Sequence, residues 1–150
     1  LVSQQAFKTF FGENGGNIVN IVADFSRGMP LIAHTGAARA GVDNLTKTAS
    51  IEWAKYGIRV NSVAPGLTST SGQRAYGEKF LKIMEERKKR IPLKKLATES
   101  EISAAVTFLL SPAASHMTGT IVKVDGGFSL CGPMVPLEEY EAGKSFDGFT

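Results

Sequence analysis

Arg39, Asp43 and Lys47 stand four residues apart in the stretch IAHTGAARAGVDNLTK (residues 32–47), with His34 and Thr35 just ahead of them. Residues four apart share one face of a helix, so this spacing lines up two cations and a carboxylate. Asp43 and Lys47 suit an i,i+4 ion pair. His34 can polarise a carbonyl or donate a proton, or it can serve as a hydrogen-bonded structural group. Between them lie Gly36, Ala37, Ala38, Ala40 and Gly41. Glycine inside a helix costs about 1 kcal/mol relative to alanine, so two of them predict that another helix or a bound cofactor approaches the backbone closely.

A second group with chemical potential is PGLTST, residues 65–70. It follows IRVNSVA, an apolar run with the composition of a buried strand, and open α/β sheets place their ligands at the carboxyl ends of such strands. The basic run ERKKR reads as a solvated helix face. Cys131 has no basic neighbour to activate it and is expected to be inert, and no metal-ligand set is assigned.

These residues need elements to position them. LVSQQAFKTFF predicts a helix with Val2, Ala6, Phe7, Phe10 and Phe11 on one side, ended by GENGG. NIVNIVA predicts a strand buried on both faces, and DFSRGMP a loop. A helix is expected from about Ala33 to Tyr56, with Val42, Leu45, Ala49, Ile51, Trp53 and Ala54 forming a broad buried side and Gly57 stopping it. YGEKFLKIMEERKKR predicts an amphipathic helix with Phe80, Leu81, Ile83 and Met84 inward. Thr98 precedes Glu101 by three residues, the spacing of a capping box, and Pro112 ends the helix that starts there. TIVKVDGG is a third strand, followed from Cys131 by an irregular tail over residues 131–150. Alternation of strands and helices predicts an α/β, doubly wound parallel sheet in which residues 17–23, 58–64 and 120–125 lie side by side.

Composition sets the outer limits. The 150 residues are 43% hydrophobic and 21% charged, ordinary for a globular domain, and the net charge of +3 is too small and too local for a general polyanion surface. Nucleic acid is therefore not an expected partner. No apolar run approaches the roughly 20 residues needed to span a bilayer, so no membrane partner is expected either. One cysteine excludes an internal disulfide framework and fits a reducing, intracellular compartment. The cytoplasm is the default, with the peroxisome or mitochondrion left open, and no Ser-Lys-Leu address is seen. No signal pattern precedes the first segment, which already reads as helix, so the chain is expected to be incomplete at its front.

Three pieces in order, GGNIVNI, ARAGVDNLTKTASIEWAKYGIRVNSVAPG and FLLSPAASHMTGTIVKVDGG, resemble the short-chain dehydrogenase/reductase superfamily from Gly15 to Leu130. HTGAARAGV with IEWA is most similar to its enoyl-CoA and dienoyl-CoA reductase branch. The resemblance implies the C-terminal part of a Rossmann-like domain over residues 1–150. The first half, with its glycine-rich pyrophosphate turn, would be missing from this chain, so the chain alone is not expected to bind NADPH usefully or to fold as a stable monomer.

The resemblance also assigns roles. The usual catalytic Ser falls on Ala23, the Tyr on Thr35 beside His34, and the Lys on Arg39, while some relatives place a Tyr or an Asp where Asp43 stands. Arg39, Thr35, His34 and Asp43 are thus the implied catalytic group. Arg39 is also implied to hold the nicotinamide ribose of NADP(H), or of NAD(H), with Pro65, Gly66, Leu67, Thr68 and Thr70 around the carboxamide. Without a phenol to exchange a proton with a carbonyl oxygen, ordinary ketone chemistry is disfavoured. The implied function is NADPH-dependent reduction of a 2-enoyl-CoA or related acyl thioester, with hydride reaching the β-carbon, in a homo-oligomer. ERKKR then has a second reading, as a contact for the phosphates of coenzyme A. A ketone or sugar reductase with an altered site, and a non-catalytic binding subunit that keeps the fold, are the competing readings.

Overall fold

The sheet is organised around one central strand. In the computed structural model, which describes residues 2–132 and 136–148, β1 (Gly16–Ile21), β2 (Ile58–Pro65) and β3 (Ile121–Val124) form a parallel sheet in the order β1-β2-β3. Ile18 stands opposite Val60 in one pair, and Val63 opposite Val122 in the other. The side-by-side arrangement expected of the three segments is present, with the strands starting and ending within two residues of the expected limits.

Alternation along β2 explains why helices cover both faces. Ile58 and Val60 point to one side, where they pack with Ala49 of α3 (Ala33–Glu52), Ile18 and Trp53. Val63 points to the other, against Leu109 of α5 (Glu99–Leu110), with Ala114, Val19 and Val122 in the same cluster. One helix on each face of a parallel sheet is the doubly wound arrangement. The N-terminal helix, α1 (Val2–Ala6), runs through a π-helical turn at Phe7–Phe11 into α2 (Gly12–Asn14), and Phe7 stacks on Trp53 at 4.9 Å between ring centroids.

The buried side of α3 differs from the expected one. Asp43, Thr46, Ala49 and Ser50 are its buried residues, while Leu45 and Ile51 are exposed. The reason lies across the interface: β1 and β2 present Asn20 and Ser62 there. Thr46 Oγ1 accepts from Asn20 Nδ2 at 2.9 Å, lies 2.8 Å from Ser62 Oγ, and reaches Val42 O at 2.9 Å. A polar strand face selects a polar helix face, because a buried hydroxyl without a partner is costly. The regular helix stops at Glu52, and a separate 3-10 turn, Ala54–Tyr56, leads to Gly57 in the left-handed region at φ 70°.

Helix α4 (Glu78–Lys88) also departs from expectation: Met84 is its buried residue, and Leu81 and Ile83 are exposed. It follows the 3-10 segment Ser71–Tyr76 and packs away from the sheet, which leaves its apolar side only partly covered. The capping box at α5 forms as read, with Glu101 N donating to Thr98 Oγ1 at 3.1 Å and Thr98 N to Glu101 Oε2 at 2.9 Å.

Arg59 ties the far end of α5 to the sheet. Its guanidinium donates to the carbonyls of Leu109 at 2.9 Å, Ser111 at 3.1 Å and Met117 at 3.1 Å, so a cation meets the carbonyl end of the helix. Arg59→Met is expected to leave these carbonyls poorly satisfied and to lower stability by about 2–3 kcal/mol, with Arg59→Lys recovering part of the loss. Chemical denaturation at neutral pH checks both, and an Arg59→Met variant as stable as the parent contradicts this role.

Candidate functional site

Helix α3 carries Thr35, Arg39 and Asp43 at successive four-residue steps, which places them on one face. Thr35 and Arg39 are half-buried, and Asp43 is 9% exposed. Lys47 Nζ donates to Asp43 Oδ2 at 2.8 Å, forming the i,i+4 ion pair expected from the spacing. Asp43 Oδ1 and Arg39 Nε are buried and have no partner among the described residues. Buried polar atoms are nearly always hydrogen-bonded, and an unmet one costs about 1–3 kcal/mol. Two such atoms on one face, one of a donor and one of a carboxylate, mark a place suited to an external polar ligand.

His34 precedes Thr35 by one residue, about 100° around the helix, and is exposed. It stands off the Thr35–Arg39–Asp43 face. Ala23 is half-buried just after β1, where Val22 N continues the ladder to Val63 O at 2.9 Å. No hydroxyl is available there. The small residues of α3 do not all serve a close approach within this chain: a Cβ on Gly36 would lie 3.4 Å from Met29 Cβ, whereas one on Gly41 would meet nothing within 4 Å.

The 65–70 loop is held by its own contacts. Gly66 N donates to Val124 O at 2.9 Å, and a Cβ on Gly66 would come within 2.6 Å of Asp125 Cα, so the loop leaves β2 flush against β3. Ala97 N donates to Leu67 O at 3.0 Å, and Ser69 N to Ala97 O at 2.8 Å. Thr68 Oγ1 donates to Gly66 O at 3.2 Å. Pro65, Gly66, Leu67, Thr68 and Thr70 are all half-buried. This is a fixed backbone platform at the carboxyl end of the sheet, the position favoured for ligands in open α/β folds.

Two carboxylates shape the same end without having been singled out in the sequence. Asp24, after β1, pairs with Lys123 of β3 at 2.9 Å and accepts from Ser26 Oγ at 2.9 Å. Asp125 accepts from the amides of Gly127 and Ser129, each at 2.9 Å, and this folds the DGG turn. Burial pushes both carboxyls up. For Asp24, the bonds from Lys123 and Ser26 outweigh burial and hold it below its ordinary value. For Asp125, those from Ser129 and the Gly127 amide do the same. Only the strand order could reveal the Asp24–Lys123 pair, since no local spacing connects them. No group of three or more His, Cys, Asp or Glu suited to a metal is present among the described residues. No helix among them is long and apolar enough to cross a membrane.

The profile of the family described as Enoyl-(Acyl carrier protein) reductase matches residues 1–129. The chain belongs to the short-chain dehydrogenase/reductase family. A peroxisomal 2,4-dienoyl-CoA reductase of Rattus norvegicus is 41% identical over 133 residues, covering 84% of this chain and 44% of the relative. Among solved structures, a citronellol catabolism dehydrogenase of Pseudomonas aeruginosa matches with a TM-score of 0.72 and 41% identity, over 86% of this chain and 48% of that one. A protein assigned as a 2-deoxy-d-gluconate 3-dehydrogenase of Agrobacterium tumefaciens, solved with bound NADP, matches at a TM-score of 0.73 and 35% identity, over 85% and 53%. The chain thus spans about half the length of the relatives it matches, as part of a Rossmann-type fold similar in sequence to the dienoyl-CoA reductase branch of the family.

The depressed carboxyls give stability a definite pH dependence. A group whose folded pKa is lowered contributes fully above its unfolded value and loses that contribution as pH falls through the folded one. The share from Asp24 and Asp125 is therefore complete above their ordinary value of 3.8 and is lost progressively below it. Asp125→Asn is expected to lower the denaturation midpoint at pH 6 and to flatten its fall below pH 4. An acid limb as steep as that of the parent contradicts the assignment.

Proposed function

We propose that the whole protein is an NADPH-dependent reductase of acyl-CoA thioesters with a conjugated double bond, and that the Thr35–Arg39–Asp43 face and the 65–70 platform form part of its active site. The observation that carries this reading is the pair of buried, unpartnered atoms on α3, Arg39 Nε and Asp43 Oδ1, on a face where no phenol stands. Arg39 suits a nicotinamide ribose, because its Nε–H awaits an acceptor and its charge is permanent. The 65–70 backbone suits the carboxamide. Arg39 and the 65–70 backbone would hold a nicotinamide whose chemistry, when bound, would be hydride donation to the end of the conjugated system, the β-carbon of a 2-enoyl chain or the δ-carbon of a 2,4-dienoyl chain. NAD(H) is the second cofactor to assay.

Such a substrate asks different things of the protein than a ketone does. Its thioester oxygen needs its transient charge held, while the proton ends on carbon. Thr35 offers a hydroxyl donor where a ketone reductase needs an acid. His34, exposed and off this face, is not counted among the donors in this reading, and Asp43 Oδ1 suits a hydrogen bond from a bound water. The competing ketone or sugar reductase would lack a phenolic proton donor at this face. A homo-oligomer belongs to the same reading, since α3 exposes Leu45 and Ile51.

In the complete enzyme, crotonyl-CoA or a 2,4-dienoyl-CoA is expected to be reduced with NADPH, while simple ketones react very poorly. Arg39→Ala should raise the KM for NADPH and lower kcat together. Thr35→Val should lower kcat about tenfold or more with little change in acyl-CoA KM, if its hydroxyl acts only in the transition state. Ala23→Ser should change little, because no phenol is present for it to assist. Steady-state kinetics decide the matter: vigorous ketone reduction without thioester reduction overturns the proposal.

A further inference from the structure

Lys94 is held in an unusual way. Its backbone lies in the left-handed region at φ 54°, which side-chain-bearing residues rarely adopt, and its side chain is only 8% exposed. The ammonium donates to Lys89 O at 3.2 Å and lies 5.4 Å from the centre of the Tyr140 ring. Its nearest carboxylate, Glu139, is 3.9 Å away and 91% exposed. A nearly buried ammonium normally has a close anionic partner, because desolvation of a charge is costly. Here the fold spends backbone strain to keep that ammonium in place with only a loose surface carboxylate opposite.

Lys94 lines a cavity of about 500 Å³ together with Arg27, Lys89 and Arg90, and Glu139 is the one carboxylate in its wall. Arg27 is steered there by a hydrogen bond to Cys131 O. Lys89 is tied to Glu86 at 2.9 Å, whereas Arg90 has no side-chain partner among the described residues. Phe128, Pro136 and Leu137 add apolar surface to the wall, beside Cys131 and Gly132. The cations come from three separate segments: Arg27 from the loop beyond β1, Lys89 and Arg90 from the end of α4, and Lys94 from the turn after it. Phe128 follows β3, so the cavity opens at the same end of the sheet as the 65–70 platform.

We propose that this cavity binds the nucleotide end of a coenzyme A thioester, with Arg27, Arg90 and Lys94 on its phosphates and the Phe128 side against its adenosine. The assignment rests on the acyl-CoA reading given above and adds the place where the carrier is held. Several cations matched to one carboxylate suit a multiply charged phosphate ligand, and charge-assisted bonds to guanidinium are strong and directional. A cavity of this size holds a drug-sized organic group, which an inorganic ion would not fill. Phe128 and Leu137 add a requirement for an apolar surface that free phosphate does not meet. The tail from Pro136 onward forms one wall, and its Glu139 stands where a ligand phosphate would displace it from Lys94. The tail's other end is pinned elsewhere: Thr98 Oγ1 donates to Phe146 O at 2.7 Å, Phe146 N to Glu101 Oε1 at 3.2 Å, and Lys95 Nζ to Lys144 O at 2.9 Å. The wall therefore has an anchor that survives displacement of Glu139.

The test compares crotonyl-CoA with crotonyl-pantetheine in the complete enzyme, for the parent and for Arg90→Ala, Lys94→Met and Glu139→Gln. Arg90→Ala removes an exposed side chain and should leave the circular dichroism spectrum and melting temperature unchanged. It is expected to raise the KM for crotonyl-CoA about tenfold, with the pantetheine KM and both kcat values unaltered. Glu139→Gln should lower the crotonyl-CoA KM about twofold by freeing Lys94. Calorimetry with adenosine 3′,5′-bisphosphate and with inorganic pyrophosphate at one ionic strength separates a nucleotide site from a bare anion site. Arg90-dependent binding of the bisphosphate but not of pyrophosphate supports the proposal, even if neither thioester is reduced; in that event the reductase reading fails and the nucleotide site stands. Equal KM shifts for both thioesters in Arg90→Ala, or equal binding of pyrophosphate and bisphosphate, overturns it.

Discussion

The whole arrangement depends on β2 being buried on both faces. A strand in that position must satisfy every polar backbone group through neighbours in the sheet and must find cover above and below. β1 and β3 supply the first requirement, α3 and α5 the second. The carboxyl end of β2 is consequently enclosed by segments that share no local sequence: the turn after β1, the first residues of α3, the 65–70 loop and the DGG turn. Each segment with a candidate chemical role leaves the sheet at or near that end.

Polar groups inside this framework do two different jobs. Thr46, Ser62 and Asn20 satisfy one another, and they give the α3 interface a unique register that an all-apolar face would specify less sharply. Arg59 likewise meets carbonyls in three places. Arg39 Nε and Asp43 Oδ1 are the opposite case, buried and unmet. Since the same helix satisfies Thr46 only one turn beyond Asp43, the contrast is local, and it separates the structural stretch of α3 from the stretch suited to a ligand.

The tail shows the same economy of means. Glu101 closes the capping box of α5 and also accepts the Phe146 amide, with Lys95 alongside at 2.6 Å. Burial raises the Glu101 carboxyl, but the bonds from Lys95, Thr98 and Phe146 hold it below its ordinary value. One carboxylate thus starts a helix and anchors a segment that has no regular secondary structure of its own.

Local patterns in the sequence were enough to determine the strands, the capping box at Thr98 and Glu101 and the Asp43–Lys47 pair, because each depends on residues within one turn or one run of backbone; the helix expected to run to Gly57 ends at Glu52 instead. The order of the family motifs was equally legible. What tertiary structure alone decided was which faces are buried and which distant groups meet. Leu45, Ile51, Leu81 and Ile83 are apolar yet exposed, since helix burial is set by the surface a helix finds, and α3 found a polar one while α4 lies off the sheet. The Asp24–Lys123 pair and the unmet atoms of Arg39 and Asp43 were invisible for the same physical reason: pairing and desolvation belong to positions in space, which hydrophobic periodicity along the chain does not encode.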